Sequence, residues 1–286
     1  MALTLVASFL TLKQNLEITE LQAETVSTRQ IEVRAAVEAE LTVLDSFLTG
    51  SYAKETLIAP LRRADIDIFV VLAAQYHHRF GPRDLLTEVR RVLRQRYPRT
   101  PEINPDGQAV TIEFTDFKVD VVPAFYRQGG GYLIADADAG SWISTDPKVH
   151  LQLMREANAS HGGDLVPLVK MLKGWSRSHG DVLRGFYLEL LALDHLSNVR
   201  ISDFPSGVRW LLDKGREAVK YKIVDPAGFG DQVNGLRRIP VQRAAQLFEE
   251  SYALAARAEV LEQAGRTADA VDTWKRLFGE YFPAYG

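Results

Sequence analysis

With 286 residues, 46% hydrophobic and 25% charged, the chain has the composition of a soluble globular protein and the length of one large domain or two. A formal net charge of −3 excludes the broad basic field that drives nonspecific nucleic-acid binding, and the lack of cysteine excludes disulfides, thiolate zinc sites and cysteine nucleophiles. Cytoplasmic localisation is the expectation: a reducing compartment suits a chain without cysteine, no run of about 18 apolar residues predicts a membrane span, and the N-terminal residues lack the marks of a signal peptide.

In chain order, residues 3–42 predict helix, because Leu3, Val6, Phe9 and Leu10, then Ile31, Val33, Val37 and Leu41, recur at helical spacing. Residues 44–49 predict a short strand that stops at Gly50-Ser51. Residues 64–72 form the next strand by length and β-branched content. His77 and His78 read as neighbours on opposite faces of a strand. Pro82 opens a helix to about residue 96, with Leu85, Leu86, Val89, Val92 and Leu93 on one face. Asn104-Pro105-Asp106-Gly107 predicts a hairpin whose second arm is 108–114. Strands at 117–125 and 132–134 flank a glycine loop at 129–131. After about residue 145 the period is helical throughout, with helices at 147–159, 163–178, 182–197, 206–220, 241–263 and 267–279. The expected division is therefore 1–145, with a sheet, and 146–286, all helical.

The chemistry concentrates in D-I-D at 65–67. An apolar strand normally excludes ionised carboxylates, whose desolvation is costly unless compensated. Alternation puts Asp65 and Asp67 on one face, their Cβ atoms roughly 6.5–7 Å apart. Such like charges oppose each other's ionisation, and a divalent cation between them removes the conflict. Asp120 lies in a second apolar strand, F-K-V-D-V-V-P-A-F, and three carboxylates on one face suit a two-metal phosphoryl-transfer site. The bland alternative is surface pairing with Lys118, Arg62 or Arg63. Gly50-Ser51, fourteen residues before Asp65, offers backbone N–H groups and a small hydroxyl suited to phosphate. Seven arginines between 79 and 99 make a basic segment, read either as a nucleic-acid or acidic-partner surface or as the solvated face of an amphipathic helix.

Gly50-Ser51, Asp65-Ile66-Asp67 and Asp120 together resemble the signature of the DNA polymerase β-like nucleotidyltransferases. The longer series is similar to the CD-NTases, the cGAS/DncV-like bacterial relatives of cGAS and oligoadenylate synthetase. It comprises V-D-V-V-P-A-F at 119–125, S-W-I-S-T-D-P-K-V-H at 141–150, L-V-K-M-L-K-G-W at 168–175, R-G-F-Y-L-E-L-L-A-L at 184–193, I-V-D-P-A-G-F at 223–229 and L-F-G-E-Y-F-P at 277–283. The resemblance implies an α+β, bilobed polymerase β-like fold: a mixed sheet with helices, and a C-terminal helical lobe that closes the nucleotide site. It implies that Asp65, Asp67 and Asp120 are catalytic and hold two Mg²⁺ ions, with Mn²⁺ as a substitute. Gly50 and Ser51 would contact donor phosphates, Lys173 the triphosphate, and Phe186 the donor base; Lys170 is the alternative lysine, one turn earlier. Gly185 departs from the pattern, which has serine there. For Phe186 the plain alternative is core packing, and for Lys173 a solvated helix lysine.

The implied function is synthesis of a cyclic or short linear oligonucleotide second messenger from NTPs, with pyrophosphate release, in bacterial anti-phage signalling (CBASS). ATP is the expected substrate, with the second base undetermined; regulatory or effector proteins are candidate partners, and neither a membrane nor a nucleic-acid activator is required. Template-independent transfer to an RNA end or a small molecule is an alternative, as is a non-catalytic nucleotide sensor.

Overall fold

The computed structural model describes residues 4–229, 232–237 and 239–286; Leu3 lies outside them. The chain divides into two compact units, one of Ile18–Gln152 and one of the described residues of Met1–Glu17 with Leu153–Gly286. The sheet-bearing unit thus extends beyond residue 145. The first helix, α1 (Leu5–Asn15), belongs with the helical unit.

The Ile18–Gln152 unit opens with α2 (Glu20–Glu38), separated from α1 by a break whose position within the expected helical stretch 3–42 the apolar spacing did not give. Thr19 causes it: its hydroxyl accepts from the Gln22 N–H and the Gln22 side chain accepts from the Thr19 N–H, a reciprocal capping box that starts a new helix. Then follow β1 (Val43–Thr49), the single turn α3 (Gly50–Ala53), β2 (Asp65–Leu72), α4 (Ala74–Arg79), α5 (Pro82–Arg96), β3 (Ile103–Asp106), β4 (Ala109–Glu113), β5 (Lys118–Tyr126), β6 (Tyr132–Asp136) and β7 (Ser141–Thr145). The helix α6 (Pro147–Ser160) contains the unit boundary. Strand order is β1-β2-β5-β4-β3, with β6 on the far half of β5 and β7 beyond it. β2 and β5 run parallel, and the other pairs are antiparallel.

The parallel pair sits centrally because both strands are apolar on both faces over most of their length. Ile66, Ile68, Val70 and Leu72, with Val119 and Val121, join the main core, where Val33 and Val37 of α2 and Leu85, Leu86, Val89, Val92 and Leu93 of α5 meet them. Each such side chain contributes about 1.5–3 kcal/mol of burial. The opposite face carries a smaller cluster of Phe69, Val71, Val122, Ala124, Tyr132 and Ile134.

Much of the basic segment is used internally. Arg83 donates to the carbonyls of Ala137 (2.6 Å) and Asp138 (3.1 Å), Arg90 to that of Ile103 (2.8 Å), and Arg91 forks onto Glu88. His77 and His78 lie on the helix α4, not on a strand; the His77 ring packs 4.8 Å from Trp142 and 5.1 Å from Phe125. The short strand β7 went unforeseen because its S-W-I-S-T run abuts a helix start: Asp146 accepts from the N–H groups of Lys148 and Val149, and Pro147 begins α6.

In the helical unit, α7 (Leu165–Ser178) is buried from Leu165 through Ser176. Around it stand α8 (Gly185–Leu196), α9 (Phe204–Ala218), a two-stranded ribbon of β8 (Ile223–Val224) and β9 (Gln232–Val233), α10 (Val241–Gln263) and α11 (Thr267–Phe278). α1 is anchored by Phe9, whose ring meets Trp274 at 5.0 Å and Phe282 at 5.2 Å, both edge-on.

Candidate active site

The register of the sheet builds the site. In the parallel pair Asp67 stands opposite Asp120, and Asp65 opposite Lys118. On the outer sides, β1 places Thr49 opposite Asp67, and β4 places Thr111 opposite Asp120. One row of the sheet therefore reads Thr49, Asp67, Asp120, Thr111, on strands about 4.8 Å apart. Asp65 joins the same face two residues along β2. This arrangement explains how a core strand carries acids. Ile66 and Ile68 point to the other face and are fully buried, whereas the acidic face acquires its apolar cover only from Phe69 onward. Asp65 is exposed, and Asp67 and Asp120 are half-buried.

Gly50 adjoins this row. Its φ of +64° is a conformation that side chains disfavour, and a Cβ there would fall 1.7 Å from Oδ2 of Asp67. The Asp67 carboxylate thus lies against the glycine. Ser51 follows directly, and its carbonyl accepts from the N–H groups of Thr56 (2.9 Å) and Leu57 (3.1 Å), which pins the turn. The sequence-predicted Gly50, Ser51, Asp65, Asp67 and Asp120 are therefore gathered at one end of one sheet face.

Electrostatics mark the same place. The Asp120 carboxyl is pushed up to about 6: burial is the main cause, the charges of Asp65 and Asp106 add to it, and the Thr111 hydrogen bond and Lys118 oppose it. Thr111 Oγ1 donates to Asp120 Oδ1 at 2.6 Å. Lys118 is paired with Glu113, directly across on β4, and not with an aspartate; Glu113, Asp65 and Asp120 all hold its ammonium above the usual lysine range. Arg62 and Arg63 are exposed. Thr111 and Glu113 were not foreseen. The N-P-D-G turn was the available signal, since it fixes the hairpin register that carries β4 alongside β5.

These donors suit a hard divalent cation: three carboxylates share a face, and the ionised form of Asp120, opposed mainly by burial and further by the charges of Asp65 and Asp106, is one a cation would favour. Among the described residues, no three His, Cys, Asp or Glu side chains stand together as a preformed metal cage. Mg²⁺ does not demand one, being held typically by one or two carboxylates together with waters and substrate phosphates.

The remaining predicted residues lie in the helical unit. Lys173 is neither solvated nor open: its Nζ is 2.6 Å from Oε1 of Glu189, and both side chains are buried. A Cβ on Gly185 would come within 3.3 Å of Lys173 Cε, so the missing side chain leaves space for this lysine. Lys170, one turn earlier, pairs with Glu17 at 2.6 Å. Phe186 is half-buried; its neighbour Tyr187 is the core aromatic, with its hydroxyl bonded to the Ala218 carbonyl.

Residues 3–158 match the sequence model of SMODS, the Second Messenger Oligonucleotide or Dinucleotide Synthetase domain. The chain belongs to this family. It is similar to a probable cyclic nucleotide synthase of Bacillus cereus (strain VD146), 27% identical over 64% of this chain and 58% of the relative. It is also similar to a cyclic AMP-AMP-AMP synthase of Acinetobacter sp. (strain ATCC 27244 / 9458), 26% identical over 83% of this chain and 72% of that one. The chain thus spans somewhat over half the length of the first relative and about seven tenths of the second. Among solved structures, CdnC of E. coli MS115-1 with ATP superposes with a TM-score of 0.74 over 98% of this chain and 99% of that one, at 20% identity. CdnC in complex with HORMA-deltaN gives 0.75 over 96% of each chain, at 19% identity. The SMODS chain accordingly has the α+β fold of the CD-NTases, and the expected family and fold are borne out.

Proposed function

We propose that this SMODS protein joins NTPs into a cyclic or short linear oligonucleotide second messenger and releases pyrophosphate. The observation that carries the reading is the acid row, in which the parallel register sets Asp67 beside Asp120 with Asp65 on the same face and Gly50-Ser51 against Asp67. Asp65 and Asp67 would hold the two divalent ions and bind the donor triphosphate. Asp120 completes the site on the side of the attacking hydroxyl. Divalent ions held by these carboxylates would supply positive charge for phosphoryl transfer. Ser51 contacts the donor phosphates, Phe186 offers a partly exposed ring for base stacking, and Lys173 binds the triphosphate, exchanging or sharing its contact with Glu189.

ATP is the substrate we propose, supported by the name of the Acinetobacter relative and by the ATP held by CdnC. CBASS anti-phage signalling is the setting, and a regulatory protein is the partner class, supported by the complex of CdnC with HORMA-deltaN. Incubation with the four NTPs and Mg²⁺, phosphatase treatment and mass spectrometry tests the reading. A phosphatase-resistant oligonucleotide is the expected product. Consumption of NTP only when an RNA or small-molecule acceptor is added would instead assign the chain to acceptor-directed transfer.

A further inference from the structure

The side chains of β4 that share the acidic face lie two residues apart, at Thr111 and Glu113, and each bonds the β5 residue directly across from it. Thr111 meets Asp120, and Glu113 meets Lys118. We propose that β4 prepares the carboxylates for a divalent cation: Thr111 occupies one oxygen of Asp120 and leaves the other aimed for the ion, while Glu113 keeps the Lys118 ammonium away from Asp65 and Asp120. Thr111 and Glu113 are thus positioning residues, and the inference rests on the reading of Asp65, Asp67 and Asp120 as the metal-holding acids.

A carboxylate with neither oxygen fixed turns about its last bond. The 2.6 Å donation from Thr111 Oγ1 to Oδ1 removes that freedom and directs Oδ2 away from β4. Such partners of metal-holding groups typically govern metal affinity by about 10–100-fold.

Lys118 poses the opposite problem. It stands across from Asp65 and on the same face as Asp120, where a free ammonium competes with a metal ion for the same anions. Its pair with Glu113 is well exposed, the two side chains being 43% and 45% accessible, so it adds little to stability. What it governs is which carboxylate the lysine occupies.

The test is Mn²⁺ binding to the 286-residue chain without nucleotide, followed by electron paramagnetic resonance of the free ion, with thermal melts to establish that each variant is folded. Thr111→Val keeps the shape of the side chain and removes the donor; it should weaken Mn²⁺ binding about 10–100-fold, whereas Thr111→Ser, which keeps the hydroxyl, stays within about threefold of wild type. Glu113→Gln should weaken binding about fivefold by releasing Lys118, and adding Lys118→Met should reverse that loss. Asp120→Asn separates the two levels. If it binds Mn²⁺ as wild type does, the carboxylate reading falls and the inference with it. If it loses Mn²⁺ while Thr111→Val and Glu113→Gln leave the affinity unchanged, the inference alone is overturned.

Discussion

At the scale of single residues, Gly50 and Asp120 carry the sharpest consequences. Gly50→Ala forces a side chain onto a φ of +64° and drives its Cβ into the Asp67 carboxylate. The backbone cost is about 1–2 kcal/mol, and the displaced carboxylate should lower pyrophosphate release far more than the melt shift accounts for. Asp120 makes the fold sensitive to pH. Its folded-state carboxyl titrates near 6, above the unfolded value, so the stability it contributes is fully present below about pH 4 and lost as pH rises through 6. In EDTA, this group should lower stability by roughly 2–3 kcal/mol between pH 4 and 7. Asp120→Asn should flatten that slope in urea titrations and be more stable than wild type at pH 7, while being inactive. The acids and the glycine were legible in the sequence because each breaks a local rule: charge in an apolar strand, and glycine at a strand end. Thr111 and Glu113 break none, and only the register of a neighbouring strand reveals them. The burial of Lys173 against Glu189 was hidden for a similar reason: the two are 16 residues apart on different helices, and their meeting depends on how α7 and α8 pack.

At the scale of elements, periodicity located the helices well, because α5, α9 and α11 each show one apolar stripe. Periodicity failed where two helices abut. The apolar spacing runs from α1 towards α2 and masks the Thr19 capping box, although T-x-x-Q was present in the sequence. It failed again at α4, six residues too short to show a helical period. The placement of α1 with the helical unit depends on Phe9, whose aromatic contacts with Trp274, Phe278 and Phe282 are all distant in sequence. Phe9→Ala should cost about 3–5 kcal/mol in chemical denaturation of the full chain.

At the scale of the whole molecule, the change from strands to helices was legible and the boundary between the compact units less so. A change of period near residue 145 marks where strands give way to helices, but the compact units divide within α6, and the helical one reclaims α1. Composition alone could not anticipate this, since α1 is placed by tertiary packing of aromatic rings. Among the described residues, no helix is long and apolar enough to cross a membrane. The proposed nucleotidyl transfer rests on the SMODS assignment and the acid row. The central claim is that the carboxylates on one sheet face perform it. The most direct test is pyrophosphate release from ATP with Mg²⁺ by the wild type and by Asp65→Asn/Asp67→Asn, compared after melts establish that both are folded. The account predicts that release falls by about a thousandfold or more in the variant; release within a few-fold of wild type would contradict it.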